Sequence, residues 1–185
     1  MPARLIILDR EGVLSECVTP FMRSPEEFRP IPGAFEAVSQ LNQAGYRVVV
    51  ATNQAGVGRG LFDMRTVNAI HERMHRAAMA VGGRIDAVFY CPHAEESRCT
   101  CRKPRPGLFH EIAERYGLRS LDGVTAVGDS IRDVQAALAA GCRPVLVRTG
   151  KGRETERDPA LPAGTEVLDD LAALAAQLLA AQRSG

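Results

Sequence analysis

At 185 residues the chain suits one compact domain, long enough to bury roughly 70% of the surface its unfolded form would expose. With 45% hydrophobic and 24% charged residues it has an ordinary globular composition, and a net charge of +1 gives no bulk electrostatic case for nucleic acid or an anionic membrane. The apolar run in "MPARLIILDREG" is too short for an export signal and no span approaches bilayer length. The five cysteines are therefore expected to be thiols or metal ligands in a reducing cytoplasm.

Along the chain, apolar β-branched runs alternate with segments of helical period. Strands are predicted over 4–8 ("RLIIL"), 46–51 ("YRVVVA"), 85–90 ("IDAVFY"), 123–127 ("GVTAV") and 143–147 ("RPVLV"), each apolar almost throughout, as strands buried on both faces should be. Helices are predicted around Phe35, Val38 and Leu41; around Val67, Ile70, Met74 and Ala78; around Leu108, Ile112 and Tyr116; and around Ile131, Val134 and Leu138. Each is followed by a stop glycine. The tail, 167–181, carries Leu168, Leu171, Leu174 and Leu178 at helical spacing, and the polar stretch 149–164 is expected to be a surface loop. Such alternation implies an α/β fold with a mostly parallel sheet covered by helices on both faces.

Polar groups follow the strands: Asp9 the first, Thr52 and Asn53 the second, Cys91-Pro92-His93 the third, Gly128-Asp129 the fourth. In a parallel sheet these ends share one edge, where ligands bind. A carboxylate such as Asp9 can attack phosphorus and divide a hard hydrolysis into two displacements. A second acid two residues on points the same way in extended chain, so Glu11 is a candidate to protonate the leaving oxygen and then activate water. The plainer alternative makes Asp9 a helix cap and Glu11 surface.

Thr52 and Asn53 can donate hydrogen bonds to a phosphoryl group, although Thr-Asn after a strand is also common turn chemistry. Arg59, between two glycines, is a candidate for a distal anionic or hydroxyl group. Lys103 in "CRKPRPG" is a compact cation suited to a phosphoryl oxygen. Asp9 and Asp129 are hard oxygen donors that suit Mg²⁺; the alternative for Asp129 is a helix cap, a role that Ser130 can take separately. Cys91-x-His93-x5-Cys99-x-Cys101 is a complete four-donor zinc set with no open position, hence a structural site. Cys17 and Cys142 stand outside it, and His71, His75 and His110 are assigned surface or packing roles.

Taken together, "LDREGVL", Thr52, Lys103 and "GDSIRD" resemble, in order, the four motifs of the haloacid dehalogenase-like (HAD-like) phosphatase superfamily, from residue 4 to about 150. "LDRxG", "TNQAGVGRG" and "CPH…CTCRKPRPG" resemble its D-glycero-D-manno-heptose 1,7-bisphosphate 7-phosphatase branch, with the histidinol-phosphatase branch the nearest competitor. The resemblance implies a Rossmann-like three-layer sandwich, a single domain over 1–185 with the zinc loop 91–101 as an insertion, and no large cap domain. It makes Asp9 the nucleophile and Glu11 the acid/base, with its backbone carbonyl also facing Mg²⁺. Thr52, Asn53 and Lys103 become phosphoryl ligands, Asp129 completes the Mg²⁺ site, Arg59 and Arg102 contact substrate, and Asp133 orients Lys103. Cys91, His93, Cys99 and Cys101 bind zinc.

The resemblance further implies a phosphorylated sugar as partner, neither nucleic acid nor membrane, a monomer in the cytoplasm, and a place in nucleotide-heptose and lipopolysaccharide precursor synthesis. Two departures stand out: Glu11 replaces the family's Asp, and Ser15 replaces a common Asn. The extra methylene moves the carboxyl by about 1.5 Å, and a 1 Å misplacement can cost on the order of 10²-fold in rate. A catalytically impaired homologue is therefore the alternative from a different class. A zinc-based nucleic-acid module is disfavoured by the acidic "AEESR" within the cysteine cluster.

Overall fold

The computed structural model describes residues 4–183; the ends of the expected 1–185 domain lie outside the described residues. Six strands form one sheet in the order β3-β2-β1-β4-β5-β6, and every neighbouring pair is parallel. They are β1 (Leu5–Leu8), β2 (Arg47–Asn53), β3 (Ala87–Cys91), β4 (Thr125–Gly128), β5 (Arg143–Val147) and β6 (Glu166–Leu168). The helices are α1 (Ala34–Gln43), α2 (Ala55–Gly58), α3 (Met64–Ala80), α4 (Gly107–Arg115), α5 (Ile131–Ala139), α6 (Gly152–Thr155) and α7 (Leu171–Arg183).

Alternation along each strand divides the core into two layers. Ile6, Leu8, Val48 and Val50 face Val38 and Leu41 of α1, Ile70 and Met74 of α3, and Leu174 of α7. Leu5, Ile7, Val49 and Ala51 face Leu108 and Ile112 of α4 and Ala136 of α5. The result is a three-layer sandwich with both faces of β1 fully covered. Each such buried aliphatic contributes about 1.5–3 kcal/mol, and this rigidity fixes where the strand ends point.

Five predicted strands and five predicted helices are present, with shifted boundaries. β6 was not expected: Leu168, assigned by its spacing to the tail helix, belongs to this strand. The expected surface loop 149–164 contains α6, and its start packs into the sheet edge instead. Thr149 Oγ1 donates to the Gly12 carbonyl at 2.6 Å, and Thr155 Oγ1 donates to the Asp129 carbonyl at 2.8 Å. Local polarity signalled a loop but carried no record of these long-range acceptors.

Candidate active site

The strand order reverses direction between β1 and β4, and ligands in open α/β sheets bind at such a switch point, beyond the carboxyl ends of the strands. Asp9 follows β1 and Asp129 follows β4. A cleft of about 140 Å³ opens there, lined by Asp9, Glu11, Thr52, Lys103, Asp129 and Asp133, among others.

Lys103 organises the floor. Its Nζ, buried at 3% exposure, lies 3.1 Å from Asp9 Oδ1 and 2.6 Å from Asp133 Oδ1, and donates to the Ala51 carbonyl at 2.8 Å. Burial opposes the Lys103 charge, but Asp133 and Asp9 outweigh it and hold its pKa above the usual lysine range. Asn53 fixes the backbone that carries this lysine: its side-chain amide donates to the Lys103 carbonyl at 3.1 Å and accepts from the Lys103 N–H at 3.0 Å. Asn53 therefore lines the cleft, but its amide is committed to positioning Lys103. Thr52 Oγ1 accepts from Gln54 Nε2 at 3.0 Å, which leaves its own proton free to donate into the cleft.

Asp129 and Asp133 divide two duties that the sequence left open. Ser130 and Asp133 form the capping box of α5, with Ser130 Oγ 2.6 Å from Asp133 Oδ2. Asp129 is not the cap. Its Oδ2 accepts from the Lys151 N–H at 2.8 Å and from the Cys17 thiol at 3.6 Å. Gly12 and Gly150 back it closely: a Cβ on Gly12, at φ 82°, would fall 2.0 Å from Asp129 Oδ2, and one on Gly150 would fall 2.2 Å from it. Only glycine permits this approach in that conformation.

Asp9, Asp129 and Asp133 each bring an oxygen within 4.8 Å of the others. Burial pushes the Asp9 carboxyl up to about 7; Lys103 pulls it down, while Asp133 and Asp129 push it further up. Burial and Asp133 push Asp129 up to about 6, and the hydrogen bonds from the Lys151 N–H and the Cys17 thiol, with the more remote Lys103 charge, offset this only in part. Asp133, paired with Lys103 and capping Ser130, is instead held below the ordinary range despite its burial. Asp9 and Asp129 thus form an under-compensated pair of hard oxygen donors, the chemistry that a divalent cation such as Mg²⁺ relieves.

Around the rim, Cys91, His93, Cys99 and Cys101 converge with all four donor atoms within 4.8 Å of one another. Cys91 Sγ is 3.4 Å from His93 Nδ1, 3.7 Å from Cys99 Sγ and 3.1 Å from Cys101 Sγ. Tetrahedral zinc with bonds of about 2.0–2.3 Å requires donor separations near these values. The cysteines are not joined as disulfides.

Arg59 and Arg102 do not line the cleft. Arg102 pairs with Glu95 at 2.9 Å, and Arg59 lies 3.6 Å from Glu95 with its guanidinium over the Phe21 ring. The cleft's other cationic side chains, Arg132 and Lys151, were not singled out from the sequence. Two further residues were missed, Gln54 and the fully buried Arg10. An arginine directly after a buried strand and its acid was the available signal.

The HAD-hydrolase-like family model matches residues 100–174. The chain is 54% identical to D-glycero-β-D-manno-heptose-1,7-bisphosphate 7-phosphatase of Bordetella bronchiseptica, over 95% of this chain and 98% of that protein. It is 46% identical to the Pseudomonas aeruginosa protein of the same name, over 97% and 99%. The crystal structure of the B. bronchiseptica D,D-heptose 1,7-bisphosphate phosphatase, complexed with magnesium and phosphate, superposes with a TM-score of 0.93, covering 96% of this chain and 98% of that one. The corresponding Burkholderia thailandensis structure, 51% identical, gives 0.75, covering 95% and 97%. With the HAD-like strand order and cleft in place and relatives matching over nearly their full length, the chain belongs to the D-glycero-β-D-manno-heptose-1,7-bisphosphate 7-phosphatase family of HAD-like hydrolases.

Proposed function

We propose that this chain removes the 7-phosphate of D-glycero-D-manno-heptose 1,7-bisphosphate through an aspartyl-phosphate on Asp9. The observation that carries the reading is the convergence of Asp9, Glu11, Thr52, Lys103 and Asp129 on one cleft at the switch point. The free Asp9 oxygen attacks phosphorus as the ester P–O bond breaks, and Glu11 gives a proton to the departing sugar oxygen. A water then attacks the same phosphorus, Glu11 takes its proton, and the Asp9 carboxylate leaves. Lys103 and the Thr52 hydroxyl hold phosphoryl oxygens throughout, and Asp133 keeps Lys103 in place. Asp9, Asp129 and the Glu11 backbone carbonyl would hold Mg²⁺, which when bound neutralises charge on the phosphoryl oxygens. Arg59 and Arg102 are candidates for the distal part of the substrate, reached by exchanging Glu95 for it.

Zinc on Cys91, His93, Cys99 and Cys101 would pin the loop that ends at Lys103. The remaining parts of the reading are one domain spanning the chain with residues 91–101 as its insertion, a monomer, and a cytoplasmic role in nucleotide-heptose supply for lipopolysaccharide. No helix among the described residues is long and apolar enough to cross a membrane.

The test is phosphate release with Mg²⁺ from heptose 1,7-bisphosphate, histidinol phosphate and simple sugar phosphates, for the chain and for Asp9→Asn. Preferred turnover of the bisphosphate, abolished in a folded Asp9→Asn, is expected. Preference for histidinol phosphate would move the substrate to the competing branch, and persistent turnover in Asp9→Asn would end the aspartyl-phosphate mechanism.

A further inference from the structure

Among the described residues, Arg10 is the largest side chain wholly shielded from solvent. A guanidinium stays charged and only donates, so its burial beside the nucleophile requires acceptors. Three surround it. Its Nη2 lies 2.7 Å from Glu11 Oε1 and 3.3 Å from Gln54 Oε1, and its Nη1 lies 3.2 Å from His71 Nε2. Because Arg10 cannot accept, His71 Nε2 is the acceptor, and the neutral ring carries its proton on Nδ1. His71 comes from α3, does not line the cleft, and is itself buried against Tyr90, with ring centroids 6.2 Å apart. Gln54 continues the chain by donating from Nε2 to Thr52 Oγ1 at 3.0 Å.

The glutamate at position 11 has one more rotatable bond than the aspartate it replaces, and a carboxyl free to swing would miss the leaving oxygen in most of its rotamers. Arg10 removes that freedom by holding one carboxyl oxygen, while Glu11 still lines the cleft. We propose that His71 is a positioning residue for the acid/base carboxylate: with Gln54 it fixes the Arg10 guanidinium, which holds Glu11 Oε1 at 2.7 Å and presents the other oxygen to the leaving group. The inference rests on the reading of Glu11 as acid/base and deepens it. A residue of α3 that does not line the cleft thereby sets the geometry of proton transfer.

The test compares His71→Phe, which keeps ring volume but offers no acceptor, with His71→Gln, whose side-chain oxygen can reach the position of Nε2. The readout is kcat/KM for two substrates: the sugar phosphate, whose alkoxide needs a proton to leave, and p-nitrophenyl phosphate, whose phenolate does not. His71→Phe is expected to lose about 10- to 100-fold on the sugar phosphate and less than about threefold on the aryl phosphate, with KM little changed. His71→Gln is expected to recover most of the sugar-phosphate rate. Equal losses on both substrates, or no loss on the sugar phosphate, would overturn the proposal. Should His71→Phe fail to fold, His71→Leu, which likewise offers no acceptor at the position of Nε2, is read by the same comparison. Glu11→Gln run alongside separates the two levels: full sugar-phosphate turnover there refutes the acid/base reading itself. Its loss together with an unaffected folded His71→Phe refutes only the positioning role.

Discussion

Among the described residues, Lys103 is the one buried cation in contact with two carboxylates, and replacing it by methionine removes that charge while keeping a similar side-chain length. The variant loses the contacts at 3.1 Å to Asp9 and 2.6 Å to Asp133, and the bond at 2.8 Å to the Ala51 carbonyl. Asp9, Asp129 and Asp133 are then left within 4.8 Å of one another without it. Stripping one partner from a buried ion pair costs about 3–5 kcal/mol. With a denaturant slope of about 2 kcal/mol/M, the urea midpoint at pH 7.5 should fall by about 2 M. The dependence on pH follows from linkage. Without the lysine, the Asp9 and Asp133 pKa values rise in the folded state only, so at these two sites the folded protein binds more protons than the unfolded, and they contribute stability as pH falls from about 7 toward 4. The deficit therefore narrows in acid, and at neutral pH it narrows on adding Mg²⁺. Urea titrations followed by circular dichroism at several pH values, with and without Mg²⁺, measure this directly. A midpoint shift below about 0.5 M, or a deficit that widens in acid, would refute the electrostatic account of the cleft floor.

Gly12→Ala should weaken Mg²⁺ binding by about tenfold or more in calorimetric titration, because the added methyl falls 2.0 Å from Asp129 Oδ2 at a φ that disfavours alanine. The isolated protein should carry one zinc per chain by elemental analysis, and Cys99→Ser should lose it and become protease-sensitive within 92–100; metal-free protein with a resistant loop would contradict the four-donor site. Burial, the Arg10 charge and His75 hold His71 down at about 3. The unfolded chain therefore takes up a proton below about 6.5 that the folded chain refuses, and stability is lost as pH falls. Between pH 7 and 5 this amounts to about 2 kcal/mol. A folded His71→Gln should lack that share of the acid sensitivity; an unchanged pH profile would show that His71 titrates normally.

Much of the fold is legible because its signals are local. Val48, Val49 and Val50 form a run that only a doubly covered strand accommodates, and glycines stop the helices where the apolar period ends. β6 is too short, with Glu166 interrupting it, for periodicity to separate it from the following helix. Of the site, Asp9, Thr52, Lys103 and Asp129 were readable because each ends a strand or stands in a marked loop. The division of labour among them was not: whether Asn53 faces a phosphate or holds Lys103 depends on a partner fifty residues away. His71, next to Ile70 on the apolar stripe of α3, reads from the sequence as surface or packing, and the structure buries it. Its contact with Arg10, sixty-one residues earlier, becomes visible only in the fold.

In the proposed reaction a glutamate does the work of the family's aspartate in a working phosphatase cleft. The most direct test is phosphate release from heptose 1,7-bisphosphate by the chain and by Glu11→Asp, side by side and with Mg²⁺. Ready turnover by the chain itself is expected, because Arg10 already holds Glu11 in place. Silence from the chain, with activity appearing only in Glu11→Asp, would contradict it and mark position 11 as one methylene too long.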